Sequence, residues 1–164
     1  MALHWAADPL AALREFQRVL AVDGLLMFST LGPDTLAELR AAAGESRVHR
    51  YADMHDLGDM LVAAGFAAPV MDMERLTIVY ANGDALLADL RASGQTNANA
   101  ARARGLAGRG FLAALQARLA AQLREGKLPI SYEVVYGHAW RAPARGESKQ
   151  TEDGRAIVQF KRRR

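Results

Sequence analysis

The spacing of hydrophobic and polar residues predicts an alternation of helices and strands. Asp8-Pro9 is a helix cap followed by proline at the first helical position, and apolar residues then recur at helical spacing until Asp23-Gly24. Leu25 to Thr30 is short, apolar and without alternation, which is typical of a strand buried on both faces. This strand is predicted to run through Gly32-Pro33 into a second helix. We therefore predict a parallel α/β crossover.

The middle of the chain predicts two further helices around an irregular strand. One helix is expected after Asp53, ending at Gly65, and a shorter one after Asn82. Between them the apolar residues of Val70 to Tyr80 change parity. That change predicts a strand with a bulge or bend near Glu74-Arg75.

The last third of the chain predicts a loop, a helix and a strand. Ser93 to Gly110 is small and polar without a period, which predicts a mobile loop or frayed helix, and an amphipathic helix follows from Phe111 to Leu123. Ile130 to Trp140 alternates as a half-buried strand does, and only Ala156 to Phe160 could add another. The order α-β-α-α-β-α-α-β predicts the second half of a doubly wound α/β sheet with its last two strands antiparallel. We predict one domain over residues 1–142 and a polar, basic tail over 143–164.

Composition predicts a globular protein and excludes several classes of function. Of the 164 residues 51% are hydrophobic and 24% are charged, and no cysteine is present to form a disulfide or bind a metal. The net charge of +3 comes largely from Lys161 to Arg164, so the body is close to neutral and a nucleic-acid partner is not expected. With no 18-residue apolar run and no signal peptide, we expect a cytoplasmic protein without a membrane partner.

Several short motifs lack the context that their chemistry requires. GLAGRG, Gly105 to Gly110, has the spacing of a phosphate loop in reverse, but no strand precedes it, so a mobile loop is favoured over cofactor binding. Ser29 is not in a nucleophile elbow. His55 and Asp59 share a helix face but have no third ligand, so no metal site is expected. No catalytic acid, base or nucleophile is predicted.

Two groups of side chains each leave two interpretations open. Tyr136, His138 and Trp140 are predicted to share one side of the last strand, either as a hydrogen-bonded edge of the core or as a substrate wall. Arg102 and Arg104, with Arg109, are either solvated charges or a docking patch for an acidic partner, whose carboxylates or phosphates guanidinium groups would bind.

Four stretches follow one another in a specific order: ALHWAADPLAALREFQRVL, GLLMFSTLGPDTLAELR, HDLGDMLVAAGFAAPVMDMERLTIVY and YEVVYGHAW. In that order they resemble the C-terminal half of the biotin-pathway malonyl-[acyl-carrier protein] O-methyltransferases. The likeness covers the chain up to about Trp140, and FSTLGPDTL, PVMDME and YEVVYGHAW are its most specific words.

The resemblance implies a class I, S-adenosylmethionine-dependent methyltransferase with a seven-stranded, Rossmann-like sheet. It implies that this chain carries strands five to seven. In the family a glycine-rich loop after the first strand and an acidic residue after the second hold the cofactor, and this sequence contains neither. The cofactor-binding half is therefore expected to be absent, and the chain alone is not expected to bind S-adenosylmethionine.

The resemblance also implies positions for the site. His4-Trp5 matches the segment after strand four, beside the cofactor, and Phe28 to Leu31 matches the end of strand five. The turn at Leu31-Gly32-Pro33 should therefore border the substrate side of the pocket. The candidate substrate-binding residues are Thr30, Tyr136, His138 and Trp140.

The implied reaction is methylation of the free carboxyl of a malonyl thioester, carried by acyl-carrier protein or by coenzyme A. An acidic carrier protein would favour the docking interpretation of the three arginines. The alternative is a non-catalytic half-domain that binds a partner. In either case the strand Leu25 to Thr30 is expected to have an open edge, which predicts self-association or coverage by a rearranged N-terminal segment.

Overall fold

A computed structural model describes residues 2–95, 97–98, 105 and 108–143. The helices are α1 (Pro9–Val19), α2 (Ala37–Ala43), α3 (Met54–Ala63), α4 (Gly83–Ala92) and α5 (Arg109–Ala120), and the strands are β1 (Leu25–Leu31), β2 (Phe66–Tyr80) and β3 (Leu128–Arg141). Two 3₁₀ turns, Leu3–Trp5 and Glu45–Arg47, precede α1 and α3. The predicted order of helices and strands is confirmed.

Helices α1 and α4 begin directly after a residue whose side chain caps them. Asp8 accepts the Ala11 amide at 2.9 Å ahead of Pro9, and Asn82 accepts the Ala85 amide at 2.9 Å ahead of α4. These side chains satisfy amides that the first helical turn leaves without a partner. Helix α3 ends before Gly65, whose φ of +90° suits a residue without a side chain.

The three strands form one sheet in the order β1-β3-β2, with β3 antiparallel to both neighbours. The predicted antiparallel pairing of the last two strands is confirmed. Strands β1 and β2 run in the same direction, joined by the crossover through α2 and α3, and β3 lies between them. Met27 and Val70 are both opposite His138, so these three residues point to the same side of the sheet.

Two hydrophobic cores lie on opposite faces of this sheet. Helices α1 and α3 cover one face, where the buried residues include Leu13, Leu57, Leu61, Val135 and Ala139. Helices α2, α4 and α5 cover the other face at one end only, where the buried residues include Leu31, Leu39, Leu86, Leu119, Ile130 and Val134. Among the described residues, no helix therefore covers the far end of the face that carries the second core.

The prediction that β1 is buried on both faces is wrong. Met27 is 71% exposed and Leu25 is also exposed, whereas Thr30 and Leu31 are buried. An apolar run without alternation shows only that both faces of a strand are apolar. Since the helices of the second core reach β1 only near Leu31, the outer residues of that face stay open.

The predicted bulge near Glu74-Arg75 is also misplaced. The register shift lies between Ala67 and Val70, where Pro69 has no amide to donate and Ala68 has a φ of +48°. Pairing with β3 is unbroken at Glu74 and beyond. The change of parity misled because apolar residues of both parities in this stretch, among them Met73, Leu76 and Ile78, are exposed.

Other predicted features are described in part. Half of the predicted loop Ser93 to Gly110 lies outside the described residues, as do the possible strand Ala156 to Phe160 and residues 144–164 of the basic tail. Helix α5 ends at Ala120, slightly before the predicted end. No helix in the described ranges is both long and apolar enough to cross a membrane.

Candidate functional site

A cleft of about 410 Å³ opens where the Leu3–Trp5 turn, the end of β1 and the segment before α3 meet. This volume is within the range of about 300–1,000 Å³ that is typical of small-molecule sites. The side chains that argue for a site are His4, Trp5, Thr30, His49, Arg50 and Tyr51, all of which line the cleft.

The Leu3–Trp5 turn is held at the end of β1 by both apolar and polar contacts. Leu3 is buried in the core beneath α1 and α3. His4 Nδ1 lies 3.4 Å from the hydroxyl of Thr30, which is 2% exposed. The structure therefore brings together two of the predicted groups, the His4-Trp5 segment and Thr30.

His49 connects this turn to two other parts of the chain. Its Nε2 donates to the His4 carbonyl at 2.9 Å, and its Nδ1 accepts the Ala98 amide at 3.3 Å. A carbonyl only accepts and a backbone amide only donates, so these partners define the neutral tautomer with hydrogen on Nε2. His49 is 8% exposed.

Four rings of the cleft pack in tilted and edge-on arrangements. The centroid of Trp5 is 4.8 Å from that of His4 and 5.1 Å from that of His49. Tyr51 is 5.0 Å from His49 and 5.6 Å from His4. Such geometries are the favourable ones for aromatic pairs, so the rings stabilise one another beyond the area that they bury.

Two polar rings of the cleft, His4 and Tyr51, are uncharged near pH 7. Burial, and secondly the neighbouring His49, lower the pKa of His4, which favours its neutral form. Burial raises the pKa of Tyr51 to about 12, so its hydroxyl keeps its proton. Among the described lining residues none is a carboxylate, and Arg50 supplies the cation.

This arrangement suits binding better than acid–base catalysis. The described lining residues include no nucleophile paired with a base, since the contact between His4 and Thr30 is long for a hydrogen bond. Ring faces of Trp5 and Tyr51 attract cations, including the sulfonium of S-adenosylmethionine. The described residues thus fit part of that cofactor, but they offer no carboxylate for its ribose.

The turn after β1 is anchored to β3 through Glu133, a buried residue. The Gly32 amide donates to the Glu133 carbonyl at 2.9 Å, and the Asp34 amide donates to the Glu133 carboxylate at 2.9 Å. The Thr35 hydroxyl donates to the same carbonyl at 3.1 Å. Pro33 lines a smaller cleft of about 180 Å³ that shares Arg50 and Tyr51 with the larger one.

Tyr136, His138 and Trp140 lie together on the other face of the sheet. Thr30 is opposite Val135, on the face under α1 and α3, whereas the three rings alternate with Val135 and point away from it. They share their side with exposed apolar residues of the two neighbouring strands. We call this surface the open face, and it consists of Leu25, Met27, Val70, Tyr136, His138 and Trp140.

The structure therefore separates the predicted substrate-binding residues into two groups. Thr30 lies in the cleft, and the three rings of β3 do not line it. Tyr136 and Trp140 are exposed, which does not match the interpretation of a fully buried core edge. A substrate-binding role for either group stays a prediction.

The predicted arginine patch is described only in part. Arg102 and Arg104 lie outside the described residues, and Arg109 is the first residue of α5. The Arg47 guanidinium stacks 4.2 Å from the ring centre of Phe111, so another basic side chain lies near the start of α5.

The predicted helix-face pair His55 and Asp59 and the described residues of the GLAGRG motif are not part of the cleft. His55 Nδ1 pairs with Asp53 at 2.9 Å. Within the described ranges no three His, Asp or Glu side chains are arranged to hold a metal ion. Of GLAGRG, Leu106 and Ala107 lie outside the described residues, Gly108 is the N-cap of α5, and Arg109 and Gly110 are in its first turn.

His49 and Tyr51 were not among the residues predicted for the site. They are two positions apart in an extended segment, so both side chains can turn to the same side. A histidine and a tyrosine two positions apart between two predicted helices are the sequence feature that could have indicated these site residues. It gave no indication of the His4 backbone or of Ala98, which are distant in sequence.

Comparisons with known proteins agree with the predicted family. No protein-family model matches the chain. The chain is 52% identical over 164 residues to the malonyl-[acyl-carrier protein] O-methyltransferase of Laribacter hongkongensis, covering 98% of this chain and 55% of that protein. It is also 52% identical over 167 residues to the protein of the same name from Methylovorus sp., covering 99% of this chain and 55% of that protein.

Solved structures agree on the fold. A Bacillus halodurans protein assigned to the methyltransferases superposes with a TM-score of 0.55 at 16% identity, covering 87% of this chain and 62% of that chain. The YcgJ protein of Bacillus subtilis superposes with a TM-score of 0.53 at 18% identity, again covering 87% of this chain and 62% of that chain. The chain spans about half the length of the curated relatives that it matches. The chain therefore corresponds in sequence to the C-terminal half of the malonyl-[acyl-carrier protein] O-methyltransferase family.

Proposed function

We propose that the chain is part of an S-adenosylmethionine-dependent O-methyltransferase of the biotin pathway that methylates the free carboxyl of a malonyl thioester. The observation that carries the proposal is the cleft at the end of β1, which is lined by the rings of His4, Trp5, His49 and Tyr51. Its chemistry suits a cationic methyl donor, and it occurs in a chain 52% identical to enzymes named for this reaction.

The reaction needs positioning more than proton transfer. S-adenosylmethionine, when bound, supplies an electrophilic methyl group. A malonyl carboxylate is ionised at pH 7, so the chain does not have to supply a general base. The work of the chain is to orient the two reactants and to exclude water from them. His4, Trp5 and Thr30 are the residues that we assign to this wall of the pocket.

We expect the cofactor to bind only when a region like the other half of the relatives is joined to this chain. The lining residues present ring faces and hydroxyls, and no described carboxylate faces the cleft to accept ribose hydroxyls. The decisive experiment joins the chain to the N-terminal half of the Laribacter relative and measures transfer of a labelled methyl group to malonyl-acyl-carrier protein.

Three outcomes of that experiment are informative. Methyl transfer by the fusion, with none by the chain alone, supports the proposal. A fusion that binds S-adenosylmethionine but methylates no malonyl thioester contradicts the proposed substrate. If calorimetry shows that the chain alone binds S-adenosylmethionine with low-micromolar affinity, the proposal that the cofactor needs the other half of the protein is contradicted.

We further propose that a carrier protein delivers the substrate and docks on the arginines around the start of α5. Arg47 over Phe111 adds positive charge near the start of α5, and Arg50 adds positive charge at the cleft. Charges outside a binding core act mainly on association and its salt dependence. The proposed docking residues are Arg102, Arg104 and Arg109.

Charge reversal in the fusion tests the docking proposal. Glutamate at the three arginines should raise KM for malonyl-acyl-carrier protein and change little for malonyl-CoA or a smaller thioester. Arg18→Glu on α1, an exposed position at Glu15, is the matched control. Equal losses on both substrates would place the arginines in the pocket or in the fold.

A non-catalytic binding module is the second candidate, and the open face favours it. Contiguous exposed apolar residues on a sheet face commonly mark an interaction surface. β1 pairs only with β3 among the described strands, so its other edge offers amides and carbonyls to a partner. A fusion that neither binds cofactor nor transfers methyl, while the chain captures the N-terminal half, would favour this function.

A further inference from the structure

We propose that His49 is a positioning residue that holds the His4-Trp5 segment and residue Ala98 in place at the cleft through its two ring nitrogens. The inference deepens the proposed function, since it concerns the same cleft. It assigns a role to a buried histidine that the proposed chemistry does not otherwise use.

The two hydrogen bonds of His49 join segments that are far apart in the chain. Its donor bond at 2.9 Å reaches 45 residues back to His4, and its acceptor bond at 3.3 Å reaches 49 residues forward to Ala98. A second contact supports the forward connection, because the Asn97 side-chain Nδ2 donates to the Ser46 carbonyl at 2.8 Å. His49 is therefore a junction of three segments.

The ring of His49 also fixes the orientation of the aromatic wall. Trp5 and Tyr51 lie on it at centroid distances of 5.1 and 5.0 Å. Since the His4 carbonyl belongs to the same turn as Trp5, the donor bond sets the depth at which the indole sits. Loss of that bond should let Trp5 move while the core around Leu3 stays packed.

Two substitutions separate the roles of the two nitrogens. In His49→Gln the side-chain amide nitrogen can take the position of Nε2 and keep the donor bond. In His49→Asn the side-chain oxygen can take the position of Nδ1 and keep the acceptor bond. His49→Gln therefore loses only the bond from the Ala98 amide, and His49→Asn loses only the bond to the His4 carbonyl.

The readouts need no enzymatic activity and use the full 164-residue chain. In a Trp140→Phe background, Trp5 is the only tryptophan, and acrylamide quenching of its fluorescence reports its exposure. Amide hydrogen exchange reports the Ala98 bond, and ¹⁵N spectra of the imidazoles at pH 8 report the tautomer. His138→Gln, on the open face, is the matched control.

The proposal predicts a reciprocal pattern. His49→Asn should increase the quenching of Trp5 and leave Ala98 exchange unchanged. His49→Gln should leave Trp5 unchanged and speed exchange at Ala98 about fivefold, as expected for one hydrogen bond. The wild-type ¹⁵N spectrum should show hydrogen on Nε2.

Other patterns would overturn the proposal. Equal changes in both variants would mean that His49 acts only through packing, and hydrogen on Nδ1 would contradict the assigned bonds. In the fusion enzyme, His49→Asn should raise KM for S-adenosylmethionine more than His49→Gln does. A reciprocal pattern in the isolated chain without this kinetic difference would refute the link to the proposed function while leaving the structural role intact.

Discussion

The cleft and the open face differ in how completely this chain covers them. In the cleft, the polar residues Thr30 and His49 are 2% and 8% exposed, and each has a polar contact within the chain. On the open face, Met27 is 71% exposed, and its neighbours Val70 and Trp140 are exposed as well. Both regions belong to the same three-stranded sheet.

The difference arises because helices cover the two faces of the sheet to different extents. Helices α1 and α3 lie along the face that leads to the cleft, so its side chains have partners within the chain. On the other face α2, α4 and α5 reach only the Leu31 end. We infer that the open face packs against another protein segment, for which the other half of the family's domain and a second copy of the chain are the candidates.

The largest expected effect tests whether the core under the cleft is tightly packed. Leu61 is fully buried, and its neighbour Val62 is 60% exposed on the same helix. Leu61→Ala should lower the free energy of unfolding by about 2–5 kcal/mol, because it leaves a cavity. Val62→Ala should change it by no more than about 0.5 kcal/mol in urea denaturation. Similar losses in both variants would mean that this face is not well packed.

Gly137 tests how closely β3 approaches its neighbours on the covered face. A methyl group there would collide with the ring of Phe28 and would lie 3.0 Å from the Met71 sulfur. Gly137→Ala should therefore cost about 1–3 kcal/mol through overpacking. Gly58→Ala is the control, since its methyl would lie 3.6 Å from Met71 and alanine favours a helix by about 0.5–1 kcal/mol. The midpoint temperature of thermal unfolding should fall for Gly137→Ala and rise for Gly58→Ala.

Thr35 tests the polar anchor of the turn after β1. Its buried hydroxyl donates to the Glu133 carbonyl and accepts the Glu133 amide, both at 3.1 Å. Thr35→Val should cost about 1–3 kcal/mol because Glu133 loses both contacts. Thr77→Val, at an exposed position of β2, should have little effect. A neutral Thr35→Val variant would show that the turn does not depend on this anchor.

The open face should affect association more than stability. We expect size-exclusion chromatography with light scattering to show a dimer or larger species, which Met27→Lys should shift toward monomer. Its free energy of unfolding should change by only about 0.5 kcal/mol, since Met27 is exposed. Adding the N-terminal half of a relative should compete with this association. A monomer with rapidly exchanging β1 amides would contradict the prediction.

The smallest expected effect is a dependence of stability on pH that arises from Tyr51 in the cleft. The pKa of Tyr51 is raised to about 12 by burial, so the folded protein holds this proton at a pH where the unfolded chain has lost it. Its contribution to stability is therefore complete below pH 10 and is lost as the pH rises toward 12. Absorbance titration near the tyrosinate band should show a late component that Tyr51→Phe reduces, with the rest belonging to Tyr80 and Tyr132, whose pKa values burial also raises. Exposed Tyr136, on the open face, is the control through Tyr136→Phe.

Local patterns in the sequence determined most of the secondary structure. Asp8 and Asn82 predicted helix starts because their side chains accept amides only a few residues away. The alternation of Ile130 to Trp140 correctly predicted a long strand and placed Tyr136 and Trp140 on one side. The specific word matches identified the family, and with it the class of fold.

Tertiary structure alone decided which of those surfaces are covered and which residues meet. Periodicity shows that a face of a strand is apolar, but not whether a helix from elsewhere in the chain lies on it, which is why Met27 was predicted to be buried. It also cannot bring together His4, His49 and Ala98, because the hydrogen bonds that join them depend on three distant segments. The sequence determined the elements and the family of this chain, and the packing of α1 and α3 against the sheet decided where its cleft lies.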